Sequence, residues 1–359
     1  MARQIKLLIF LGVALIVPHV ASANTGTPLM WAGMFHLSIG NLLIGICEGG
    51  ILQRKYGAER PYLLLVGANY VSAWLGGYLL GWLAGRLDWN LNNGWLLFWL
   101  FVVLTYGMTI LIEWPFVFWT FPKQSQSWKQ ALKASWLVQS CSYVVLFTGY
   151  WVVSSTSIYS RVEVVDPSAI KLADNLAVFY LGKDGRVYRH REILDDFVST
   201  NRDDRLYFTR RPDETNAWDL HVRVEARRNP DGQSVKVAAA LRGGAASMEE
   251  SETNQPTLKG NWFNFGNALN VGLGTNAVWQ LRSGFWAIEG LRVRNARTAE
   301  QYRFSWETPF SQWPIRNVLQ LPNEQAIFQL GSDQICILDL STRRIALLAR
   351  GRGPAVLLQ

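Results

Sequence analysis

Four long apolar stretches dominate the first half of the chain, at about 30–52, 62–84, 95–117 and 136–154. Each approaches the ~20 residues that a helix needs to cross a bilayer. In lipid the backbone has to satisfy its own hydrogen bonds, so helices are the expected form. Between residues 24 and 157 the only acids are Glu48, Glu59, Asp88 and Glu113. The expected class is therefore a multi-domain membrane protein, with a four-helix transmembrane domain over residues 24–157.

The segments around these stretches set an orientation. Residues 1–23 read as a signal peptide, with Arg3 and Lys6 ahead of the short apolar run Leu7–Val17. Pro18 breaks that run, and Ala21-Ser22-Ala23 has the small-x-small form of a cleavage site. The first loop carries Arg54, Lys55 and Arg60, and the third carries Lys123, Lys129 and Lys133. The second has only Arg86, offset by Asp88. Basic loops stay in the cytoplasm, so everything after the fourth stretch is expected outside it. Trp31, Trp82, Trp89, Trp95 and Trp151 then fall near the outer boundary, and Trp119, Trp128 and Trp136 near the inner one. Tryptophan favours both interfaces because its ring is apolar and its N–H seeks water. A plasma (inner) membrane location follows, with the C-terminal domain extracytoplasmic, or periplasmic.

Residues 158–359 have a different character. They hold 26 Lys and Arg against 23 Asp and Glu, so most of the net charge of +8 belongs to the loops of the apolar half. That distribution speaks for membrane topology and against nucleic-acid binding. Apolar and charged residues alternate, and turn-formers recur at 182–185, 212–216, 229–232 and 331–333. Alternation between such turns predicts hairpins, hence an all-β domain. Its final meander, Ala326–Leu330, Gln334–Asp339 and Arg344–Ala349, is propeller-like in spacing, and a sandwich is the other topology considered. Residues 243–260 read as a mobile loop. The three cysteines, Cys47, Cys141 and Cys336, form no ligand-spaced cluster; no cofactor or metal is expected.

Polar residues inside apolar spans are costly and usually functional, so they mark the candidate site. Span one carries His36, Asn41 and Glu48, span two Asn69, and span three Glu113. At about 100° per residue, Asn41 and Glu48 share a face while His36 lies about 120° from Glu48. His36 is therefore an isolated candidate, and Asn41, Glu48, Asn69 and Glu113 are the candidate polar site. One reading converges the glutamates into a proton, cation or lipid-head-group site. The competing one seats them at the interface, each paired with a loop lysine or arginine. Gly45-x3-Gly49 and the stripe Ala73, Gly77, Gly81 are expected to pack helices closely. In the outer domain His190 and His221 sit at strand positions with no nucleophile motif beside them.

The leading functional expectation is a membrane anchor that displays a β domain for binding, sensing or scaffolding, with the bilayer and an extracytoplasmic protein as partners. The alternative is an ion, proton or lipid-linked activity of the membrane domain itself, using its carboxylates. An envelope enzyme sited in the β domain is the third. The topology makes a direct prediction. A reporter fused at Gln126 should read cytoplasmic and one fused at Ser251 should read extracytoplasmic; a cytoplasmic signal at Ser251 refutes the orientation.

Overall fold

The computed structural model describes residues 26–190, 192–199, 204–224, 233–247, 265–273 and 277–359. The expected signal peptide and residues 248–260 of the expected mobile loop lie outside these, as does the turn at 229–232. The chain divides into two compact units. One is Met1–Ser155 with Thr308–Ser311, and the other is Thr156–Glu307 with Gln312–Gln359.

Among the described residues the first unit has four long helices: α1 Pro28–Tyr56, α2 Pro61–Ala84, α3 Gly94–Trp119 and α4 Trp128–Val153. All four are long and apolar enough to cross a membrane. Thr27 caps α1, its hydroxyl accepting the Met30 N–H at 3.2 Å, and Pro28 supplies the pre-set first turn. Gly57 closes α1 with φ +66, the left-handed conformation that glycine adopts without penalty. The helix α4 starts eight residues before the stretch read from hydropathy, because Lys129 and Lys133 interrupt the apolar run without interrupting the helix.

Successive helices pack on one another, and α1 also packs on α4, which closes the bundle. Its polarity is the reverse of a water-soluble bundle. Leu63, Trp74, Val103 and Val145 are exposed, while Asn41, Glu48, Asn69, Ser72, Glu113 and Gln139 are buried. Gly45 explains how α1 and α2 approach. A Cβ there would lie 2.6 Å from Val66 Cα, and one at Gly49 would lie 2.9 Å from the Tyr62 ring. The pair therefore packs as its spacing implies. The α2 stripe does not. A Cβ at Gly77 or Gly81 would meet nothing within 4 Å, so these residues leave space instead of sealing a contact.

The second unit is mostly β. Its main sheet has ten strands and curls into a half-barrel. Its longer strands are β1 Leu176–Gly182, β2 Arg186–Arg189, β3 Glu192–Val198 and, further along the chain, Ile315–Leu321, Gln325–Leu330, Gln334–Asp339 and Arg344–Leu358. The C-terminal meander is not a separate blade. Its last strand runs through Gly351-Arg352-Gly353-Pro354, shifts register between Arg352 and Ala355, and pairs with β1. A bulge is where a strand tolerates proline, and here it joins both ends of the unit in one sheet. Within β1, Val178 and Tyr180 face one core while Phe179 and Leu181 face another. Burial on both faces accounts for its unbroken apolar sequence.

A three-stranded sheet, Arg205–Arg210, Ala217–Val224 and Gln233–Arg242, supplies Phe208, Trp218 and Leu220 to the second core. A four-stranded sheet is built on Trp279–Ser283, Leu291–Asn295 and Gln301–Phe304. The connection from Trp279–Ser283 to Leu291–Asn295 is closed by the Gly284 N–H donating to the Gly290 carbonyl. At the start of the expected loop, Ala245–Ala246 pair with the end of the last strand.

The two kinds of small residue separate in one experiment. Gly45→Val should lower the thermal unfolding midpoint by an amount equivalent to about 1–3 kcal/mol, the usual cost of overpacking. Gly77→Val should leave it nearly unchanged; equal effects would refute the distinction.

Candidate functional site

Each helix of the bundle contributes to one buried polar layer. From α1 comes Glu48, from α2 Asn69 and Ser72, from α3 Glu113, and from α4 Gln139 and Ser142. Asn69 Nδ2 donates to Glu48 Oε2 at 2.8 Å and Ser142 Oγ to Glu48 Oε1 at 2.5 Å. Ser72 Oγ donates to Glu113 Oε1 at 2.5 Å. The Gln139 amide joins the two acids: Nε2 donates to Glu48 Oε1 at 3.2 Å and to Glu113 Oε2 at 2.5 Å.

Both carboxyl groups are wholly buried, at 0% exposure. Their partners are all neutral, and among the described residues no lysine, arginine or histidine forms an ion pair with either. The structure thus sets the glutamates side by side, away from the basic loops. About one turn further towards those loops, Leu52, Leu65, Val117 and Ala134 form a fully buried apolar layer. It closes that end of the site.

On the other side the bundle is hollow. A cavity of about 370 Å³ begins at Asn69, Ser72, Glu113, Gln139 and Ser142. It extends to Gly33, Phe98 and Ser154, together with Pro309 and Phe310 of the same unit. Glu113 and Phe98 are 15 residues apart on α3, so the cavity runs roughly 22 Å along the helix at 1.5 Å per residue. Its middle is lined by Ile44, Leu80, Val102, Met108 and Leu146. Ala73, Gly76 and Gly77 line it too, where the small side chains keep it wide. The hydroxyls in this stretch are engaged with their surroundings: Thr105 Oγ1 donates to Phe101 O, and Thr109 Oγ1 meets Tyr143 OH at 3.1 Å. Phe98, Phe147 and Trp151 gather at the far end, and Phe310 packs on Phe98 and Phe101.

His36 lines this cavity beside Asn41. Its Nδ1 is 2.9 Å from Tyr150 OH, and the two rings meet edge to face. Regular α-helical geometry puts His36 and Asn41 about 140° apart. The helix instead makes one wide turn over His36–Gly40, where the Asn41 N–H bonds back five residues to the His36 carbonyl. Such a turn holds one extra residue and brings His36 round towards Asn41. Asn41 is 2% exposed, and its Nδ2 has no hydrogen-bond partner.

Of the expected residues, Glu48, Asn69 and Glu113 come together, while Asn41 and His36 lie further along the same cavity. Ser72, Gln139 and Ser142 were missed. Their signal was present, since Asn69-x-x-Ser72 and Gln139-x-x-Ser142 place polar pairs on single helix faces.

Among the described residues the histidines of the second unit have other surroundings. His221 Nε2 lies 3.0 Å from Thr209 Oγ1 and its Nδ1 3.2 Å from Ser234 Oγ. Burial and the neighbouring Arg189 charge both push His190 below the usual histidine range. Asp219 sits below the usual carboxylate range. Burial opposes this, but hydrogen bonds from Lys236 Nζ and the Ala240 N–H, with the Lys236 and Arg211 charges, outweigh it. Among the described residues no three His, Cys, Asp or Glu side chains assemble as metal ligands. The chain matches no protein-family model, no curated protein and no solved structure.

The bridging amide makes a quantitative prediction. Gln139→Leu removes a donor from both buried acids, so it should cost about 1–3 kcal/mol of stability. Ser135→Ala should cost far less, because Ser135 Oγ is buried without a partner. Thermal unfolding of the two variants against the parent chain checks this; similar losses would contradict the bridge.

Proposed function

We propose that the chain is an integral membrane protein whose four-helix bundle binds a cation or a proton at Glu48 and Glu113. The β unit lies on the outer, periplasmic side, as the basic loops and the signal-like start imply. The reading is carried by the buried glutamate pair with neutral partners at the foot of a cavity. A carboxylate in apolar surroundings is stable only when its charge is compensated. Two of them, joined by one neutral amide, call for a proton or a cation from outside the chain. The apolar layer around Leu52 and Leu65 argues for a site reached from one side, as opposed to an open pore. Lipid suits the exposed leucines and valines of the bundle, and intramembrane acids commonly mark ion or proton sites.

A second reading assigns the function to the β unit as a displayed binding module. It is favoured by β3, which ends the ten-stranded sheet and exposes Ile193 and Val198. An open strand edge is a place where another chain can add.

Proton uptake separates the two. Purified protein in zwitterionic lipid nanodiscs is acidified in small steps, and the protons taken up are counted with a pH indicator. The parent chain should take up more than E48Q/E113Q over the range in which both remain folded. Equal uptake refutes the carboxylate site and leaves the β-unit reading.

A further inference from the structure

The cavity has a chemistry of its own beyond the pair at its foot. Between its polar side chains the walls are apolar, with Ile44, Leu80, Val102, Met108 and Leu146 along its length. Its length of roughly 22 Å and its volume of about 370 Å³ suit a slender ligand. Its only acidic group is Glu113 at the foot, while His36, Asn41, Tyr143 and Tyr150 add neutral polar groups further along. The four oxygens of two ionised carboxylates offer about eight acceptor positions, and the bonds from Asn69, Ser72, Gln139 and Ser142 occupy five. An ionised foot has acceptor capacity and negative charge left over, which an ammonium group with its three N–H donors complements. Phosphate and carboxylate heads are repelled by the same charge.

Two further features fit an occupant. Gly76 and Gly77 leave the α2 wall open where side chains would fill it. Asn41 Nδ2 is buried on the cavity wall with no partner, and buried amides are normally satisfied. It marks open space on the wall, although a plain alkyl tail would offer it no acceptor.

We propose that the cation bound by this bundle is the head of an amphiphile: the cavity takes a long-chain amine, with its ammonium at Glu113 and its tail along Gly77 towards Phe98. This rests on the carboxylate-site reading and specifies its ligand. Glu48 stands behind, joined through Gln139, and shares in compensating the charge.

The test uses the full chain in zwitterionic nanodiscs with radiolabelled hexadecylamine, and with hexadecanoic acid as the same chain carrying an anionic head. Saturable binding of the amine and none of the acid is expected. Glu113→Gln should weaken amine binding about tenfold or more, the loss expected for a charge-assisted contact. Gly77→Phe should abolish amine binding by narrowing the cavity along the path of the tail. The inference is overturned if amine and acid bind equally. It is also overturned if both variants bind amine as the parent does, or if proton uptake is intact and no saturable amine binding occurs. Loss of the uptake difference itself would instead sink the carboxylate-site reading on which the inference stands. Glu113→Gln, nearly isosteric, keeps the test decisive should Gly77→Phe fail to fold.

Discussion

One side-chain amide holds the helical unit's polar layer together. Gln139 donates to Glu48 and to Glu113, and so ties α4 to α1 and α3 through buried groups. Asn69 and Ser72 bring α2 into the same layer. Losing a hydrogen bond costs most where the group left behind is buried and charged. The layer therefore fixes helix register as well as composition. The close approach at Gly45 serves it directly, because Glu48 reaches Asn69 only if α1 and α2 nearly touch one turn away.

The same arrangement divides the bundle into two regions of different density. Towards the basic loops, Leu52, Leu65, Val117 and Ala134 fill the interior completely. Away from them, Ala73, Gly76 and Gly77 thin one wall, and a cavity replaces the core. A bundle that packs one end and hollows the other forgoes the dispersion and burial that filling would supply. Natural interiors seldom leave such space without a use for it. The proposed site gives it one.

Much of this was readable beforehand. Four helices, the hairpins of the β unit and three of the polar residues follow from hydropathy, turn chemistry and the rarity of acids in apolar runs. The rest was hidden for identifiable reasons. Hydropathy cannot say whether glycines in a stripe seal a contact or open a space, and Gly77 does the second. A wide turn at His36–Gly40 has no sequence signature, so uniform 100° steps put His36 on the wrong side of α1. Gln139 and Ser142 are common neutral residues, visible as site members only once Glu48 and Glu113 are adjacent. In the β unit, the last expected strand stops at Ala349, and Gly351-Arg352-Gly353-Pro354 lies beyond it. It is a bulge within the strand that unites the sheet, because pairing with β1 outweighs the local preference.

The central claim is that two adjacent buried glutamates share one site and are compensated from outside the chain. Infrared spectroscopy of the carboxyl stretching region, during a pH or cation titration of the full protein in lipid, tests it most directly. The account predicts a titrating carboxyl signal in the parent chain that changes in both E48Q and E113Q, each substitution altering what the other acid reports. A signal indifferent to both substitutions would contradict it.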